Sequence, residues 1–133
     1  MTTVTVIPSG QSLSVHVAKS LLDRLRGLIG RPSPGAGSGL IIERCRKIHT
    51  IGMSYPIDVI YIDAGGVVVH VADNVPSGRY IVPAPSRRIG ARHVLEMGVG
   101  EAARMTLCTG MCLTSGAAGG LWKRLVRLFL SCL

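Results

Sequence analysis

Thr and Val alternate through residues 1–7 (MTTVTVI), and the same period of two returns at Ser12–Val17, where Leu13, Val15 and Val17 share one face. Both runs read as strands, joined through Pro8-Ser9-Gly10-Gln11 as a hairpin. The period then changes. Leu21, Leu22, Leu25, Leu28 and Ile29 recur at helical spacing behind Ser20, which can cap, and Asp23, which sits where a capping box places its acid. The pattern predicts a helix closed at Gly30. Arg31–Ser38 (RPSPGAGS) is a loop, and Gly39–Glu43 and Cys45–Ile48 form two short strands or one bent strand. The glycines at 35, 37 and 39 do not match G-x-G-x-x-G and no helix pattern follows, which excludes a dinucleotide fingerprint.

The pattern centres on Ile48–Asp63. A polar, flexible run (His49-Thr50-Ile51-Gly52-Met53) turns at Pro56 into a strand whose two faces are both apolar, as expected of burial on both sides. Asp58 interrupts it. A carboxylate in such a strand needs a partner or a wet strand end, and His49, Arg24 and Arg31 are the candidate cations. Asp63-Ala64-Gly65-Gly66 is a hairpin turn, and Val67–Asn74 is the returning strand. Val75–Gly90 is a basic loop, Arg92–Met97 a strand, and Gly100–Arg104 one helical turn. Met105–Leu113 reads as a closing pair of short strands.

Ser115–Gly120 (SGAAGG) is a linker, which divides the chain into a domain (1–114), the linker (115–120) and a terminal helix (121–133). Lys123, Arg124 and Arg127 fall on one arc of that helix, and apolar residues including Trp122 and Phe129 fill the rest. At about 20 Å it is too short to span a bilayer. Two readings stand: an interfacial helix touching an anionic membrane through Trp122, Lys123, Arg124, Arg127 and Phe129, or a segment folded back on the domain.

Composition narrows the class. Seventeen glycines and seven prolines suit a β-rich fold, and with only 4% aromatic residues, Val, Ile and Leu must fill the core. A net charge of +8 favours acidic partners. The N-terminus lacks a signal-peptide pattern, so the expected location is cytoplasmic, peripheral to the inner face of the membrane, with Cys45, Cys108, Cys112 and Cys132 reduced.

Several segments together resemble one family. Arg24-Leu25-Arg26-Gly27-Leu28-Ile29-Gly30-Arg31, Gly39-Leu40-Ile41-Ile42, Cys45–Met53, Pro56–Asp63, His93-Val94-Leu95-Glu96-Met97 with Gly100, and Gly110 occur in the order found in the bacterial and archaeal domain of unknown function 192. The resemblance covers about residues 13–114. It implies an α+β, mostly β fold: a compact, barrel-like antiparallel β domain with one packed helix. It implies no settled activity. This chain has His49-Thr50-Ile51-Gly52-Met53 where many members carry Trp and Asn around the methionine, and Gly110-Met111 where many carry Gly-Asp. The terminal amphipathic helix lies outside the family pattern.

The expected pocket is lined by Arg24, Arg31, His49, Met53, Asp58 and Glu96. It belongs to a non-catalytic binding or accessory module for an unknown protein or small ligand, with no cofactor. One alternative is a small hydrolase-like enzyme in which Asp58 orients His49 as general base. The other is nucleic-acid binding through the Arg-rich stretch 79–92, disfavoured because Tyr80 is its only aromatic residue. A Cys45–His49 dyad needs a bend, since four residues of strand separate the two by about 13 Å. Cys108 and Cys112 lack the spacing and second half of a zinc site and read as small thiols. His16 and His70 read as structural histidines within strands.

Overall fold

The computed structural model describes residues 2–7, 9–79, 82–83 and 90–115. Residues 80–81 and 84–89 of the expected basic loop, the linker from 116 and the expected terminal helix 121–133 lie outside the described residues. Ser115, expected to open the linker, ends the last strand instead.

The alternating N-terminal segments form the expected hairpin, β1 (Thr2–Ile7) against β2 (Ser12–Ala18), with Val4 opposite Leu13. Ser20 caps α1 (Leu21–Arg26) by accepting the Asp23 N–H at 3.0 Å. The helix stops at Gly27, three residues before the expected Gly30, because Gly27 adopts φ 55° and lies against the Glu96 carboxyl. Leu21, Leu22 and Leu25 point to solvent; Leu28, just past the helix, is the leucine that enters the core.

β3 (Ser38–Ile42) runs parallel to β2, a departure from the all-antiparallel expectation. The crossover that a parallel pair requires is α1 with its following loop. Two-residue strands β4 (Lys47–Ile48) and β7 (Val82–Pro83) pair apart from the main sheet. β5 (Ile57–Asp63), β6 (Val68–Val75) and β8 (Ala91–Gly98) build its other half, as their patterns predict. α2 (Glu101–Arg104) is the expected helical turn. In place of the expected pair of closing strands, residues 105–115 hold one, β9 (Cys112–Ser115), because residues 105–111 turn rather than extend.

The seven-stranded order is β6-β5-β8-β3-β2-β1-β9. The sheet curls until its outer strands meet at one corner. There the Val68 N–H donates to Met111 O at 2.8 Å, the Gly110 N–H to Val68 O at 2.8 Å, and the Leu113 N–H to Gly66 O at 2.9 Å. Curling gives a concave and a convex face. The concave core contains Val4, Val6, Leu13, Val15, Ile41, Ile60, Ile62, Leu95, Met97 and Leu113, plugged by Ala102, Met105 and Leu107. The convex core contains Leu40, Ile42, Val59, Tyr61 and Val94 under Leu28, Ile48 and Met53. β5 therefore buries both faces, as its sequence predicts.

Asp58 departs from expectation. It is fully buried on the concave side, and among the described residues no cation holds it. Its Oδ1 accepts the Asn74 N–H and its Oδ2 the Ala102 N–H, each at 2.9 Å. Ala102 lies in the first turn of α2, where backbone N–H groups lack intrahelical acceptors. The carboxylate ties β5 to β6 and to α2.

Candidate functional site

On the convex face α1 does not lie flat on the sheet, and a cleft of about 170 Å³ opens between the helix, the β3–β4 connection and β8. Its floor is Glu96. The β8 register sets Glu96 opposite Val59 on one side and Leu40 on the other, which turns it onto the convex face. α1 and Gly27 then close over it, leaving Glu96 2% exposed. A Cβ on Gly27 would stand 3.1 Å from Glu96 Oε2, so glycine is what allows the backbone to come so near.

The Leu28 N–H donates to the Glu96 carboxyl, while Oε2 is buried with no protein partner. Burial raises its pKa from 4.5 to about 7, partly offset by that Leu28 bond. Burial thus holds the carboxyl well above the ordinary carboxylate range. Arg24 Nη2 donates to Arg44 O at 3.1 Å, and its Nε is likewise buried without a partner. Among the described residues, an acceptor of Glu96 and a donor of Arg24, both residues of the cleft lining, have no hydrogen-bond partner.

The walls are mixed. Leu25, Ile42 and Ile48 are apolar; Arg26, Arg44, Lys47 and the exposed His49 supply polar and cationic groups. Arg44 adopts φ 53°, and its N–H donates at 3.1 Å to Nδ1 of buried His93. An accepting Nδ1 puts the proton of neutral His93 on Nε2. Burial, then the Arg92 charge, lowers the His93 pKa and keeps the ring neutral. His93 therefore pins one wall. The Cys45 thiol also lines the cleft, but burial raises its pKa, and it donates to Lys47 O at 2.9 Å. A thiol so held is a poor nucleophile, which removes the chemical basis for a Cys45–His49 dyad.

Of the six expected pocket residues, the cleft brings together Arg24, His49 and Glu96. Arg31 lines a neighbouring hollow of about 250 Å³ with His16 and Pro34, and its Nη2 reaches Asp23 at 3.4 Å. Met53 packs in the convex core. Asp58 lies across the sheet with both oxygens engaged, so it does not orient His49. Sequence reasoning missed Arg26, Arg44 and Lys47. A signal for Arg26 was its place beside Gly27; Arg44 and Lys47 come from a bend that no residue pattern announced.

Among the described residues, no cluster of three His, Cys, Asp or Glu side chains could hold a metal ion, and no helix is long and apolar enough to cross a membrane. His70 stacks at a tilt on Tyr61, with ring centroids 5.8 Å apart, in a packing role.

No functionally curated protein matches the chain. Solved structures resemble it, two of them over most of both chains. A protein of unknown function from Novosphingobium aromaticivorans DSM 12444 is 25% identical with TM-score 0.73, the match covering 84% of this chain and 82% of that one. A candidate transcription regulator from Sinorhizobium meliloti 1021 is 24% identical with TM-score 0.74, covering 86% and 92%. The second likeness speaks to fold alone. The family model for domain of unknown function 192, described as Uncharacterized ACR, matches residues 4–115, and the chain belongs to that family.

Proposed function

We propose that the domain is a non-catalytic binding module that takes a small polar ligand into the Glu96 cleft. The observation that carries this reading is that two residues lining one cleft, Glu96 and Arg24, each keep a buried polar atom, Oε2 and Nε, with no hydrogen-bond partner among the described residues. Leaving such groups unpaired costs about 1–3 kcal/mol each, and a ligand that pairs them recovers that cost on binding. The fitting chemistry is a small zwitterion: an ammonium or amide donor toward Glu96, a carboxylate toward Arg24 and the cationic rim, and a short aliphatic body against Ile42 and Ile48. The hydrolase reading has less support, because a general base needs a partner to orient it and Asp58 is engaged on the other face. The basic, apolar segment 121–133 fits the same module as a membrane tether.

Titration calorimetry of the intact chain against free amino acids and dipeptides tests the reading. A ligand ammonium selects ionised Glu96, so with a pKa of about 7 its affinity should rise about tenfold from pH 6 to pH 8. Glu96→Gln should abolish that dependence and weaken binding, as should Arg24→Met. The reading fails if no member binds at millimolar concentration, or if both variants bind like the parent chain.

A further inference from the structure

We propose that the α1 end of the domain, several of whose side chains also form the rim of the cleft, is a docking face for an anionic lipid bilayer. Leu21, Leu22 and Leu25 are 70%, 74% and 64% exposed, and no residue of α1 is buried. A six-residue helix gains little from propensity and normally depends on packing an apolar face. This one turns its apolar face outward. At about 100° per residue the three leucines span roughly 100° of the helix surface, with Arg24 and Arg26 at the two margins and Asp23 on the far side. Asp23 is taken up locally by Arg31. Among the described residues, Arg24, Arg26, Arg44 and Lys47 have no carboxylate within ion-pair distance. Leucines between unneutralised cations match the acyl boundary and headgroups of an anionic membrane.

Two further placements favour lipid. Ile51, 45% exposed, sits on a loop whose Gly52 approaches Ile29 just beyond α1. Among the described residues, four of the five exposed large apolar side chains thus gather at this end, and Val99 lies elsewhere. The direction of the last strand matters as well. β9 and β2 are both antiparallel to β1, so β9 points the same way as β2, toward the end from which α1 departs. Residues 116–133, which follow β9 in sequence, carry Trp122, Phe129, Lys123, Arg124 and Arg127. That segment is itself cationic, which disfavours it as the cover for a cationic helix and favours a shared anionic surface. Nucleic acid would use the cations but gains nothing from exposed leucines.

The test is co-sedimentation of the full chain with phosphatidylcholine vesicles, with and without phosphatidylglycerol. Binding should need the anionic lipid and weaken with salt. Replacing Leu21, Leu22 and Leu25 together by Ser should lower vesicle affinity by about tenfold or more. Leu22→Ser alone, which leaves the cleft lining intact, should give a smaller loss in the same direction. All three positions are exposed, so circular dichroism and thermal unfolding should match the parent. The proposal is overturned if the parent does not bind anionic vesicles, or if the triple variant binds like the parent. It is also overturned if only Lys123, Arg124 and Arg127→Gln abolish binding, or if the leucine changes alter oligomeric mass instead of vesicle binding. Loss of zwitterion binding in Glu96→Gln leaves these readouts untouched, so the two proposals fail separately.

Discussion

Asp58 and Glu96 occupy neighbouring rungs of the β5–β8 ladder, Asp58 opposite Met97 and Val59 opposite Glu96. Both are buried acids in an apolar sheet. Their side chains leave opposite faces and meet opposite fates. On the concave side each Asp58 oxygen receives a backbone N–H, one from β6 and one from the first turn of α2. On the convex side Glu96 receives the Leu28 N–H and keeps Oε2 free. Burial alone does not separate an architectural acid from a binding one. The separation comes from whether the protein has already used the lone pairs.

The largest expected effect is on the concave acid. Asp58→Ala leaves two buried N–H groups without acceptors and should cost roughly 3–5 kcal/mol in urea unfolding. Asp58→Asn keeps one acceptor and should cost less. If Asp58→Ala unfolds within about 1 kcal/mol of the parent chain, the architectural reading of Asp58 collapses.

Glu96 should behave in the opposite sense. Its folded pKa, about 7, lies above its ordinary 4.5, so the folded state holds the extra proton. The associated stability is fully present below about pH 4.5 and is lost as pH rises through about 7, roughly 3 kcal/mol in all. Glu96→Gln removes that loss, so the variant should gain on the parent between pH 5 and pH 8. His93 pulls the other way, since its lowered pKa costs stability as pH falls through its ordinary 6.5. The difference between the Glu96→Gln and parent curves cancels that contribution. A flat difference would mean that Glu96 titrates normally.

The smallest effect tests how the two regions are joined. Gly27→Ala forces a side chain into a left-handed backbone and against the Glu96 carboxyl, and should cost roughly 1–3 kcal/mol. It should also block the cleft, read as loss of zwitterion binding in calorimetry. A variant that binds normally would place the ligand elsewhere.

Much of the scaffold was legible. Alternating Thr and Val specified β1, continuous apolar residues specified the double burial of β5, and Ser20 with Asp23 specified where α1 begins. What escaped was relational. Periodicity in Leu21, Leu22 and Leu25 reveals a shared stripe but not which way it faces. The partners of Asp58 are main-chain N–H groups of Asn74 and Ala102, remote in sequence, and no side-chain type marks a backbone donor. Arg24 and His49 were legible only as candidate cations for Asp58, a role that neither fills, because backbone N–H groups take both carboxylate oxygens. Strand alternation alone put Glu96 on the face of Arg92, which at the far end of β8 is exposed.

The pairing of β1 with β9 joins the earliest strand of the domain to its latest. During synthesis the free flank of β1 must wait for nearly the whole domain to emerge before its partner exists. Chaperones or transient pairings would have to shield that ribbon meanwhile, and closure, being long-range, should be the slow and final event of maturation.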